Sequence, residues 1–282
     1  MSFYIIVVSF NAGNRLEKTI RSILSQTYTD YRIIIQDSVS TDGSIESLKS
    51  NVPFDRICLY SEKDDGIYDA MNRAVKRAYA MEETAYCIFL NCGDLFYNED
   101  VLKDLADKMA RSSNEANEDM RGYLTVKSSG VGIFYGDTFY PETGQVDFAF
   151  AKMNDFACYR RLPCHQSCVY KLSLMVKEPY DTSYTVRADY EQFLRLKYKE
   201  GAIIRKLNMV IASYEGGGFS HMHKDVSEKE RKQIIRKYLP GFKIWIYDLY
   251  RLVSLQPLRE RLAESKFTAP LYHRLKKRLC GR

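Results

Sequence analysis

No apolar run in this sequence approaches the ~20 residues that a membrane-spanning helix needs, so a helical membrane span is not expected. Nor is there an internal repeat or a low-complexity block. The N-terminal "YIIVVSF" has neither a basic leader nor a small-residue cleavage site, and reads as a strand rather than an export signal. Cysteine is sparse and odd in number, 7 in 282 residues, which in a large chain without such a signal points to free cytoplasmic thiols rather than a disulfide framework. Proline and glycine are also limited, at 7 and 15, while 45% of the residues are hydrophobic. That balance suits one sizeable α/β domain with room for an extension.

Charge is present but unevenly spread. The net charge is +6, yet residues 231–282 carry 14 Lys/Arg against 3 Asp/Glu, so the tail holds +11 and the first 230 residues −5. The division expected is a mildly acidic body over 1–225 and a basic, helical C-terminal extension over 226–282.

Strand and helix signals alternate at the start. "YIIVVSFN", "YRIIIQD", "RICLYSE" and "YCIFLNCGD" are apolar, β-rich runs that end in polar residues. Between them, Leu16, Ile20, Ile23 and Leu24 recur at helical spacing. "STDGSIESL" offers capping residues, and Ile67, Ala70, Met71, Ala74, Val75 and Ala78 mark another amphipathic helix. The order β-α-β-α-β-α-β predicts a parallel, Rossmann-like sheet flanked by helices. Ligands of such sheets bind beyond the carboxyl ends of the strands, so Asn11, Asp37, Glu62 and Asp94 are expected along one rim. Residues 111–130 read as an exposed loop or irregular helix.

Each rim residue has two readings. Asp37 either caps its turn or accepts hydrogen bonds from a base or ribose. Asp65, Asp69 and Asn72, spaced i, i+4, i+7, form a helix face that is either solvated or turned to an anionic, hydroxylated ligand. Asp94 is either a turn cap or the carboxylate of a Mg2+ or Mn2+ site, where phosphate oxygens and water complete the shell.

Together, "VVSFN", "SILSQTY", "IIIQDSVSTDGS", "EKDDGIYDAMN" and "IFLNCGD" resemble glycosyltransferase family 2, the inverting nucleotide-sugar enzymes of GT-A fold. "GIYDAMN" and "LNCGD" are similar to motifs of the bacterial transferases of capsule, lipopolysaccharide and exopolysaccharide synthesis. The resemblance implies that Ser9, Phe10 and Asn11 contact the nucleotide, with Phe10 stacking on the base and Asp37 reading it. It places Asp65, Asp69 and Asn72 near the nucleotide and donor sugar, and Asp94 on the metal. Gly93 departs from the pattern, since many members have a second Asp there, and Met71 replaces an Arg.

An inverting transfer needs a base for the acceptor hydroxyl. "VRADYEQFL" resembles the family segment holding it, which implies Asp189, with Glu191 as the substitute. Read without the family, Asp189 is an acid at a helix start. "RLPCHQSCVYK" resembles a segment near the acceptor pocket, and Cys158, Cys164, His165 and Cys168 have poor spacing for structural zinc. In "YEGGGFSHMH", His221 is either an exposed loop residue or a further metal ligand.

"FKIWIYDLYRLVSL" is apolar round most of its circumference and precedes a basic stretch. It fits either an anionic membrane surface or packing against protein. Nucleic acid is not expected, because no recognition motif accompanies the charge. The function expected is metal-dependent inverting transfer from a UDP-sugar to a glycan or polyprenyl-linked acceptor in surface polysaccharide synthesis, in the cytoplasm at the inner face of the plasma membrane. A catalytically silent nucleotide-sugar-binding scaffold and a nucleotidyltransferase are the alternatives. The latter lacks its usual glycine-rich, basic phosphate loop near the first strand.

Overall fold

The structure, a computed structural model, describes residues 1–119, 131–216 and 223–254. Strand β1 (Phe3–Ser9) is buried along its whole length, as a central strand covered on both faces must be. It pairs in parallel with β2 (Tyr31–Asp37) on one side and β4 (Tyr86–Phe89) on the other. β3 (Ile57–Ser61) continues the parallel sheet beyond β2.

The crossovers are α1 (Asn14–Leu24), α2 (Ser44–Asn51) and α3 (Ile67–Met81), so the expected alternation forms. Leu16, Ile20 and Ile23 of α1 and Ala70, Met71, Ala74, Val75 and Ala78 of α3 are buried. Each large aliphatic side chain removed from water this way contributes about 1.5–3 kcal/mol. Parallel strands leave the sheet by the same edge, and the register Ser9↔Asp37 and Asp37↔Ser61 aligns three strand ends on one rim.

The second half mixes directions. β6 (Ile133–Tyr140) and β8 (Cys168–Lys171) pair antiparallel, and β8 joins them to β4. β9 (Ile204–Ser213) lies parallel to β6 and antiparallel to the two-residue β5 (Leu95–Phe96), while β7 (Gln145–Asp147) forms a hairpin with β6. Among the described residues the order is β3-β2-β1-β4-β8-β6-β9-β5, with β7 beside β6. More residues pair in parallel than antiparallel, and helices α4 (Val101–Asp119), α5 (Asp155–Arg160), α6 (Leu172–Lys177) and α7 (Ala188–Tyr198) complete this half. The polar stretch expected from residue 111 therefore begins as regular helix, inside α4.

The ladder between β6 and β9 is irregular around Gly136, where a Cβ would fall 2.7 Å from the Met209 carbonyl oxygen and 2.8 Å from Ile211. A main-chain carbonyl in a sheet has little freedom to yield. Gly136→Ala is expected to cost about 1–3 kcal/mol, read as a lower thermal midpoint. An unchanged midpoint would contradict this packing.

The chain divides into two compact units, Met1–Ile234 and Ile235–Arg282. Helix α8 (Lys224–Tyr238) runs across that division, and α9 (Gly241–Val253) belongs to the second unit.

Candidate active site

After β4 the chain turns through Asn91 to Asp94, closed by the Asp94 N–H donating to the Asn91 carbonyl at 2.9 Å. Gly93 sits at φ +107°, a left-handed conformation that side chains disfavour. Thr19 of α1 fixes the turn: its buried hydroxyl accepts from the Gly93 N–H and donates to the Asp94 carbonyl, each at 2.9 Å. Main chain and Thr19 thus close the turn, leaving the Asp94 carboxylate for other partners. It is 5% exposed, accepting from Gln166 Nε2 at 2.8 Å and from the Glu215 N–H at 3.3 Å. Burial pushes this carboxyl up to about 6; the two hydrogen bonds pull it down and the Glu215 charge adds to the rise.

Asp37, wholly buried, ends β2. It accepts from the Ser40 N–H at 2.9 Å, from the Ser40 hydroxyl, and from Ser61 Oγ at 2.7 Å. The turn-capping reading therefore holds for part of its surroundings. Ser9, also buried, ends β1 opposite it. The next residues form a pair of linked loops: the Asn11 N–H donates to Ser40 Oγ at 2.9 Å, and Asn11 Oδ1 accepts from the Thr41 N–H at 2.9 Å. Gly13 N–H reaches Asp42 at 2.7 Å. On this braced rim Phe10 is 65% exposed, an aromatic face without cover.

Of the three residues expected on one helical face, Asp69 and Asn72 lie on α3 and Asp65 does not. Helix α3 begins at Ile67 behind Gly66 at φ +112°, so Asp65 precedes the helix and shares no face with it. Its N–H donates to Asp69 at 3.1 Å, and Asp69 also pairs with Arg73 at 2.7 Å. Asn72 spends both ends of its amide on the Tyr180 main chain, donating at 2.9 Å and accepting at 2.8 Å. Glu62 turns toward Arg73 and Arg77 of α3, at 3.2 and 2.9 Å, and these partners hold its carboxyl below the usual range.

Asp189 lies in the first turn of α7, half-buried. The Tyr68 hydroxyl of α3 donates to it at 3.3 Å and to the Val186 carbonyl at 2.6 Å. Burial, with the Asp189 charge beside it, pushes the Tyr68 hydroxyl far up, so it stays a donor. No side chain of α7 caps its own start. Glu230 of α8 instead holds the turn that leads into α7, accepting from the N–H groups of Thr185, Val186 and Arg187 at 2.7, 3.0 and 2.8 Å. Glu191 is not brought to Asp189: its buried carboxylate pairs with Arg195 at 3.2 Å, and Arg195 also holds Glu178 at 2.7 Å.

His165 stacks on Phe89 at 4.8 Å, with Tyr170 and Tyr180 around it. Burial draws its pKa down and the Asp189 charge draws it up. Six cysteines are free thiols among the described residues. Cys158, Cys164, His165 and Cys168 do not converge as a zinc set, since among the described residues no group of three or more such side chains is placed to hold an ion. A Mg2+- or Mn2+-type ion asks for less, one or two carboxylates with phosphate and water. The buried Asp94 carboxylate, with Glu215 beside it, meets that demand. His221 lies outside the described residues.

A rim of this kind invites comparison with known proteins. Residues 4–117 match the family described as glycosyl transferase family 2. The chain carries a family 2 glycosyltransferase domain. Over 223 residues this glycosyltransferase is 28% identical to the PGL/p-HBAD biosynthesis glycosyltransferase of Mycobacterium bovis, covering 78% of this chain and 79% of that protein. Its fold is GT-A, similar to S. aureus TarS 1–349 in complex with UDP-GlcNAc (TM-score 0.62, 14% identity, 84% of this chain and 71% of that one). It is also similar to mannosyltransferase PcManGT from Pyrobaculum calidifontis in complex with GDP-Man and Mn2+ (TM-score 0.57, 16% identity, 99% and 80%).

Sequence reasoning about this glycosyltransferase missed the supporting residues. Gln166 was legible only as a member of "RLPCHQSCVYK", with nothing to link it to Asp94. Tyr68 lies inside "GIYDAMN", and its position one turn before Asn72 was the available signal. Thr19 and Glu230 carry no motif at all.

Proposed function

We propose that this glycosyltransferase moves a sugar, with inversion, from a UDP-sugar to a hydroxyl of a glycan or polyprenyl-linked saccharide in surface polysaccharide synthesis. The observation carrying this reading is the Asp94 carboxylate, 5% exposed and aimed by Gln166 at the end of the parallel strands. A buried carboxylate that has no cationic side chain paired with it among the described residues is poised for a ligand cation. Asp94, with Glu215 near it, would hold Mg2+ or Mn2+, which when bound neutralises charge on a diphosphate.

The chain's own residues supply the remainder. Phe10 offers its exposed face to the base, and Asp37, kept in place by Ser40 and Ser61, accepts from the base. Asp189 takes the proton from the acceptor hydroxyl as that oxygen bonds to the anomeric carbon and the bond to the diphosphate breaks. Tyr68 holds the Asp189 carboxylate in place for this step. UDP leaves, and the sugar inverts. Slow release of UDP from UDP-sugars, dependent on Mn2+ or Mg2+, is the deciding assay. Metal-dependent UDP binding with no release from any nucleotide sugar would favour a silent binder instead.

The C-terminal extension, 226–282, supplies a second part of the proposal: contact with an anionic membrane surface. In α9, Phe242, Trp245, Ile246, Leu249 and Val253 are exposed at i, i+3, i+4, i+7 and i+11, one continuous stripe. The basic excess of the tail would attract anionic lipid, and among the described residues no helix is long and apolar enough to cross a membrane. Trp245→Glu combined with Leu249→Glu is expected to abolish flotation with phosphatidylglycerol vesicles. Equal flotation of variant and wild type would refute membrane contact through α9.

A further inference from the structure

The geometry points to Glu215 as the second acidic group of the Asp94 site, a carboxylate that reaches the divalent cation from across the rim. This rests on the reading of Asp94 as the cation's ligand. The antiparallel pairing of β5 with β9 matches Leu95 to Ser213. Carried two residues further along both chains, the same register sets Glu215 opposite Gly93.

Side-chain positions agree with that register. A Cβ built on Gly93 would lie 2.9 Å from Glu215 Oε2, so the space a side chain at 93 would enter is taken by this carboxylate. The Glu215 N–H already donates to Asp94 Oδ1 at 3.3 Å, which ties the two acids together. Its other carboxylate oxygen, Oε1, pairs with Lys18 of α1 at 3.0 Å. The side chain is 46% exposed, open to a ligand arriving at the rim. A bare glycine at 93 is therefore compatible with a two-carboxylate site, one acid from the β4–β5 turn and one from the end of β9.

The competing role for Glu215 is that of a surface partner to Lys18, an ion pair worth about 0–1 kcal/mol. Mn2+ titration of the full chain in the presence of UDP, followed by the paramagnetic resonance of free Mn2+, separates the two. Glu215→Gln keeps the shape and removes the charge, and is expected to weaken Mn2+ binding roughly tenfold. Lys18→Met, which breaks only the ion pair, is expected to bind Mn2+ as tightly as wild type or more tightly. The proposal is overturned if Glu215→Gln titrates like wild type, or if Lys18→Met reproduces its loss. If Asp94→Asn also titrates like wild type, it is the cation reading of Asp94 that fails. If Asp94→Asn alone loses binding, only the assignment of Glu215 does.

Discussion

Replacing Asp94 by Ala is expected to lower kcat/KM for metal-dependent UDP release about a thousandfold, equivalent to ~4 kcal/mol of transition-state stabilisation. The carboxylate is nearly buried, and Gln166 and the Glu215 N–H fix both of its oxygens. Water entering the vacated space would be a poor substitute for a charge aimed by two donors. Loss of fold is not the expected cause. The folded-state pKa of Asp94, about 6, lies above the ordinary carboxylate value, so ionised Asp94 opposes folding above that pH and the opposition fades as pH falls through it. Asp94→Asn at pH 7.5 should thus keep or raise the thermal midpoint while losing activity. A variant that retains wild-type turnover would remove Asp94 from the reaction.

Asp189→Asn is the second large effect, a fall in kcat of about 10²–10⁴ with donor binding preserved. Asparagine keeps the size of the side chain and a partner for Tyr68, but it cannot take a proton. Thermal shift with UDP and Mn2+ should match wild type, since ligand stabilisation depends on the donor side alone. Tyr68→Phe should give a smaller drop in kcat, because it frees the carboxylate without removing it. If Glu191→Gln abolishes turnover and Asp189→Asn does not, the base has been misassigned. The ion pair that ties Glu191 to Arg195 favours Asp189 as the base.

The parallel half of the sheet was readable because its strands are long, apolar and punctuated by polar ends, while its helices show one buried face. Those signals are local. β5, two residues long, has no period to detect, and the antiparallel entry of β8 beside β4 is a choice made by packing rather than by alternation. Asp65 was drawn into a helix by its spacing from Asp69, and the positive φ of Gly66 is what starts the helix later. The residues around Asp94 were beyond local signals altogether: Gln166 is 72 positions away and Glu215 is 121. Asn72 shows the same limit. Its spacing left it either solvated or facing a ligand, and no local signal showed its amide bonding to the main chain of Tyr180, 108 positions on.

The three hydrogen bonds from residues 185–187 to Glu230 change what can be removed from this chain. A stop signal shortly after residue 225 would leave the turn that leads into α7 without its acceptor and loosen the approach to Asp189. A working minimal enzyme is expected to need α8 at least through Glu230, and a lesion there would look like a defect in chemistry.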